Sequence, residues 1–176
     1  MLAKRQATIP LSCGWLAPFG LLSIAIARRY PTLRVVGIDT WAPSLALARA
    51  NVAAASLQDR IELREQSGED LPNERAFDLA WILAPFISPQ SLWRTVERVH
   101  RALKPGGWVL FATAKPGAYL RAAIMRLRVA TWGGQPTSQD EVEKRLADAG
   151  FADVGVLPGP PRDLKMIVAA RRKQNT

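Results

Sequence analysis

Two glycines and one carboxylate carry the clearest chemical signal in this 176-residue chain: Gly14, Gly20 and, nineteen positions after Gly20, Asp39. Glycines ahead of a helix let a ligand come close to the backbone. A carboxylate closing the next strand can accept hydrogen bonds from both hydroxyls of a ribose. A separation of about 20 residues between such a glycine and such an acid is that of a dinucleotide fingerprint, so the spacing points to an adenosine-containing cofactor. The same stretch also has features of a secretory signal. Lys4 and Arg5 precede a run without charge from Leu11 to Ala27, which ends in Ala25-Ile26-Ala27. Against export, Pro10, Gly14, Pro18 and Gly20 break the run, and Arg28-Arg29 follow the would-be cleavage point. The expectation is therefore a retained N-terminus and a cytoplasmic protein.

The elements that must position these residues can be read from periodicity. "LRVVGID" (Leu33–Asp39), "RIELREQS", "FDLAWIL" and "WVLFATA" have the length and composition of strands. Pro43 opens an alanine-rich helix, and Ser88-Pro89 opens another with Leu92, Val96, Val99 and Leu103 on one face, ended by Pro105-Gly106-Gly107. Ser138 and Glu141 form a capping-box pattern for a helix that stops at Gly150, and "ADVGVL" and "LKMIVAA" read as a final pair of strands. Strands alternating with helices predict one α/β domain over 1–176 with a largely parallel sheet, flanked by short tails at 1–10 and 172–176. The first strand, "ATIPLS", is short and holds a proline, so it is expected to be weak.

Composition limits the function classes. Hydrophobic residues make up 48% and charged residues 22%, an ordinary globular balance. The formal charge of +9 permits an anionic partner, although much of it lies on helix faces and in the tail. The single Cys13 rules out an internal disulfide and a clustered thiolate metal site.

The order of landmarks resembles class I S-adenosylmethionine-dependent methyltransferases. "CG…GLLSIAIARRYPTLRVVGID" is similar to their first two motifs; "EDLP", "FDLAW", "ALKPGGWVLF" and "LADAGFADV" resemble the later ones, in sequence. The resemblance implies a three-layer Rossmann-like sandwich whose seven-stranded, mostly parallel sheet ends in an antiparallel strand, with S-adenosylmethionine as methyl donor. Carried over, Gly14 and Gly20 would line the amino-acid part of the cofactor and Asp39 the ribose. Trp41 would lie against the adenine face, with Ser67, Gly68 and Glu69 at the adenine edge. Ala84, Pro85 and Phe86 would sit between cofactor and acceptor.

The chain also departs from that pattern. The family loop places one residue between its last two glycines, whereas Trp15 to Phe19 separate Gly14 from Gly20; the loop acid falls on Pro10 and the first glycine on Ser12. Ser67 stands where an acid is expected near the adenine. The family often carries an N-terminal lid, and only about ten residues precede this loop. No catalytic base stands out: His100, the only histidine, is placed on a helix surface near a C-terminus, remote from the strand ends that bind ligands. Methyltransferases of base amino groups carry Asn or Asp before Pro-Pro-Tyr or Phe, where this chain has Leu83-Ala84-Pro85-Phe86. With Trp81, Phe86 and Trp132 forming an apolar mouth, a small organic acceptor is expected rather than nucleic acid, although Arg121, Arg126 and Arg128 could touch phosphate. No membrane partner is expected. Two alternatives stay open at this point: a truncated or inactive remnant of the fold acting as a binding module, and a nicotinamide-dependent oxidoreductase.

Overall fold

In the computed structural model the described residues are 8–12, 20–115, 120–159 and 165–174. Seven strands form one sheet: β1 (Thr8–Ser12), β2 (Arg34–Asp39), β3 (Ile61–Glu65), β4 (Phe77–Leu83), β5 (Leu103–Ala114), β6 (Phe151–Val156) and β7 (Lys165–Arg172), in the spatial order β3-β2-β1-β4-β5-β7-β6. Strands β1 to β5 run parallel, and β7 is antiparallel to both β5 and β6. The winding reverses between β1 and β4, so a crevice opens at the carboxyl ends of the strands near that point. The short β1 matches β2 along its whole length but meets β4 only at Leu11 and Ser12.

Both faces of the sheet are covered, which explains why β2 is buried at every position after Arg34. On one face Val35 packs with Ile24 and Ala27 of helix α1 (Leu21–Arg29), Val52 of α2 (Ala42–Ala54) and Ile61. On the other face Val36 and Ile38 join Leu92, Val96 and Val99 of α3 (Pro89–Ala102), and Val142 and Leu146 of α5 (Gln139–Asp148). The period-2 alternation of the strand thus assigns each side chain to one layer. Gly20 begins α1 with φ +80°, and a Cβ there would lie 3.3 Å from the Ala48 Cβ, so a larger residue would strain the turn and crowd α2.

Three features differ from the sequence reading. A helix, α4 (Leu120–Thr131), lies between β5 and α5 where none is predicted. The "KPGG" segment does not separate α3 from a strand; β5 already begins at Leu103, and Lys104–Gly107 form an irregularity between the Phe77–Leu103 and Leu79–Trp108 pairs. That bulge is held by Lys104 Nζ on Asp78 at 2.8 Å and by Arg171 Nε donating to the Gly106 carbonyl at 3.3 Å. His100 is half-buried rather than on the surface. Its ring stands edge-on to Phe151 at 4.8 Å, and Gly150 leaves it room, because a Cβ there would be 3.2 Å from Nε2. Burial, followed by the charges of Arg172 and Arg101, holds its pKa below the ordinary 6.5 against a hydrogen bond donated by the ring to the Gly150 backbone carbonyl, which raises it.

Candidate active site

The carboxyl ends of β2, β3 and β4 enclose a cavity of about 290 Å³, near the lower end of the ~300–1,000 Å³ range of small-molecule sites. Its floor is Ile38, Asp39 and Thr40 from the end of β2, with Gln66, Ser67 and Gly68 from the turn after β3. One wall is α3 with Ser88, Ser91 and Thr95; the rim is Phe86 and Ile87 after β4, with Trp132 and Gly133 after α4.

Asp39 is 7% exposed. Its Oδ1 accepts the Trp41 backbone N–H at 2.9 Å, so half of the carboxylate holds the entry to α2. Its Oδ2 is buried and has no hydrogen-bond partner among the described residues. Burial raises the Asp39 pKa above the ordinary 3.8, and the hydrogen bond from the Trp41 N–H is the leading effect that opposes that rise. Two more buried groups from cavity-lining residues are unpartnered among the described residues: Gln66 Nε2 and Thr95 Oγ1. An acceptor, a donor and a hydroxyl left unsatisfied around one cavity are what a polar ligand would complete, since unpaired buried polar groups are costly.

The turn carrying this floor is built to fit α3. Ser67 Oγ accepts the Glu69 N–H at 3.4 Å and starts a single 3-10 turn over Gly68–Asp70. A Cβ on Gly68 would lie 2.5 Å from Thr95 Cγ2, so glycine allows the turn to seat on the helix. Glu69 does not line the cavity: its carboxylate accepts the Ser91 hydroxyl at 2.8 Å and lies 3.6 Å from Arg94. Ser88 caps α3 by accepting the Ser91 N–H at 3.3 Å.

The rim is an aromatic pair. Phe86 and Trp132 have ring centroids 4.7 Å apart at 31°, and the Arg128 guanidinium lies 5.0 Å from the Trp132 ring centre. The turn bearing Trp132 is pressed against the end of β4, where a Cβ on Gly134 would lie 2.3 Å from the Pro85 carbonyl oxygen.

Of the residues chosen from sequence, Asp39, Ser67, Gly68 and Phe86 line this cavity. Trp41 stands beside it as the residue before α2, 39% exposed. Ala84 is fully buried in the core rather than between two ligands, and Pro85 backs the rim. Gly20 serves the α1–α2 packing just described, while Gly14 and Cys13 lie outside the described residues. Trp81, expected at the mouth, packs instead into the cluster on the α1–α2 face. Sequence reasoning passed over Gln66 and Thr95. Thr95 did leave a trace, being a hydroxyl on the stripe of α3 that also carries Leu92, Val96 and Val99.

A mostly parallel sheet with a strand-end carboxylate at the reversal of its winding defines a Rossmann-like domain with a nucleoside-type cleft. A family model described as "Methyltransferase domain" matches residues 12–107, and the chain belongs to that family. Over 68% of its length it is 34% identical to the ubiquinone biosynthesis O-methyltransferase of Pseudomonas syringae pv. tomato, covering 50% of that protein. It is 36% identical to a tRNA1(Val) (adenine(37)-N6)-methyltransferase of Porphyromonas gingivalis, with 89% of this chain and 63% of that protein covered. The fold is shared with a SAM-dependent methyltransferase of Methanosarcina mazei at TM-score 0.74 and 18% identity, over 99% of this chain and 95% of the other. The chain spans about half the length, or less, of the first curated relatives it matches. S-adenosylmethionine is the cofactor of this family, and an unsatisfied acceptor at Asp39 Oδ2 and donor at Gln66 Nε2 are groups of the kind that a nucleoside would complete.

Proposed function

We propose that this domain transfers a methyl group from S-adenosylmethionine to a small organic acceptor in the cytoplasm. The observation that carries the reading is the pairing of two unlike surfaces in one cavity. Unsatisfied polar atoms lie at Asp39, Gln66 and Thr95, and the Phe86–Trp132 pair lies at the rim. When bound, S-adenosylmethionine supplies an electrophilic methyl group on a sulfonium. Asp39 would accept the ribose hydroxyls through Oδ2 while Oδ1 stays on Trp41, and Gln66 would donate to the adenine edge. Phe86 and Trp132 would hold a flat apolar acceptor and exclude water. With the acceptor fixed in line, positioning supplies much of the rate and no general base need be named.

A small acceptor is favoured by the end of β4. Leu83, Ala84 and Pro85 offer no side-chain hydrogen bond to an amino group, and Ala84 is sealed in the core. The ubiquinone-pathway relative is consistent with this, whereas the tRNA relative is named for an adenine amino group. Polar atoms left unsatisfied around the cavity argue against a remnant that has lost its ligand, and the family match argues against a nicotinamide enzyme. The test is transfer of labelled methyl from S-adenosylmethionine into a panel of small phenols and into unmodified tRNA. Label in a phenol is the expected result; label in tRNA alone would overturn the acceptor class.

A further inference from the structure

Helix α4 carries apolar side chains on two opposite sides. Val129 and Ala122 are buried against the domain. Leu120, Ile124 and Leu127, at helical spacing on the far side, are 75%, 48% and 67% exposed. Arg121 and Arg128 border this stripe along one side, Arg126 lies on the same helix, and α4 has no acidic residue. At 12 residues the helix is about 18 Å long. Among the described residues no helix is long and apolar enough to cross a membrane.

We propose that α4 is an interfacial helix that lays this stripe into an anionic lipid surface, with Arg121 among the headgroups. Charge complementarity selects the occupant: a cationic helix in a chain of formal charge +9 faces a surface that is negative on the cytoplasmic leaflet. An RNA backbone fits the arginines but gains nothing from three leucine and isoleucine side chains that stand farthest from the core. A protein partner would need about 1,000 Å² or more of interface, which a single three-residue stripe does not offer. Position adds a functional reason. Trp132, on the cavity rim, follows α4 directly, and Arg128 contacts its ring. Docking α4 would bring the mouth of the cavity to the bilayer surface, where an acceptor dissolved in lipid could enter. This departs from the sequence reading, which expects no membrane partner because Pro10, Gly14, Pro18 and Gly20 break its one long uncharged run. The docking itself does not depend on the methyl-transfer reading.

The test is co-sedimentation of the full chain with vesicles of phosphatidylglycerol and phosphatidylcholine at 30:70, and with pure phosphatidylcholine. The wild type should bind the anionic vesicles and lose binding as salt rises. Leu120→Asp with Leu127→Asp should weaken binding at least tenfold, and Arg121→Gln about fivefold. All three positions are exposed, so circular dichroism and Tm should stay unchanged. Ile124→Trp supplies a gain of signal: its fluorescence should be quenched by brominated lipid. Equal sedimentation of wild type and the double variant, or no quenching at Trp-substituted position 124, would overturn the proposal. So would a dimer that the double variant breaks, which would make a second copy the occupant, or tighter binding to an RNA hairpin lost in the same variant.

Discussion

Replacing Asp39 in two ways separates its part in the fold from its part in binding. Asp39→Asn keeps an oxygen that can accept the Trp41 N–H, now at 2.9 Å from Oδ1, and removes the charge whose burial raises the pKa. Asp39→Ala removes both. Because the folded-state pKa is raised above 3.8, the native chain holds the proton more tightly than the unfolded one. The stabilising contribution of Asp39 is thus full below 3.8 and is lost as pH rises through the raised value. At neutral pH the asparagine variant should be as stable as the wild type or more so, and that advantage should vanish toward pH 3.8. The alanine variant should lose about 0.5–2 kcal/mol with the bond at the start of α2. Both should bind S-adenosylhomocysteine more weakly, since a charge-assisted hydrogen bond contributes about 1.5–3 kcal/mol, or roughly 10- to 150-fold in affinity. Urea unfolding at neutral and acid pH gives the stabilities, and calorimetry gives the affinities. If the asparagine variant is as unstable as the alanine variant while both bind at wild-type strength, Asp39 is a structural cap and its assignment to the ribose is wrong.

Arg172 Nη1 donates to the carbonyls of His100 and Arg101, each at 2.8 Å, and to that of Leu103, closing the C-terminal end of α3. Arg172→Met should therefore cost about 1–3 kcal/mol in urea unfolding. The depressed pKa of His100 gives stability that is present above 6.5 and lost as pH falls below it, and His100→Gln should flatten that loss. Gly68→Ala should destabilise the domain by about 1–3 kcal/mol through the 2.5 Å approach to Thr95 Cγ2, and adding Thr95→Ser should recover part of the loss. Absence of any recovery would mean that the turn, not the contact, requires glycine.

Much of the frame was legible because it follows from periodicity. The unbroken apolar run of β2 reads as a strand buried on both faces, and the stripe of α3 reads as a helix facing the core. Asp39 was legible because a carboxylate at the end of such a strand is out of character with everything before it. What failed shares a different cause. Helix α4 places its most apolar residues toward solvent, so no core-facing pattern marks it out. Trp81 is expected at the mouth, but its position in β4 sends it to the opposite layer. Glu69 reads as a ligand contact, but its partner Ser91 is 22 residues away, a pairing that only the tertiary fold reveals. Gln66 was invisible for a similar reason, since nothing local distinguishes a glutamine aimed into a cleft from one in solvent.

The central claim is that the cleft at the ends of β2 and β3 holds the adenosyl part of S-adenosylmethionine through Asp39. Calorimetric titration of the chain with S-adenosylhomocysteine and, in parallel, with NAD tests it most directly. The account predicts saturable binding of S-adenosylhomocysteine that weakens at least tenfold in Asp39→Ala, with no saturable binding of NAD. Saturable binding of NAD, or S-adenosylhomocysteine binding that is indifferent to Asp39, would contradict it.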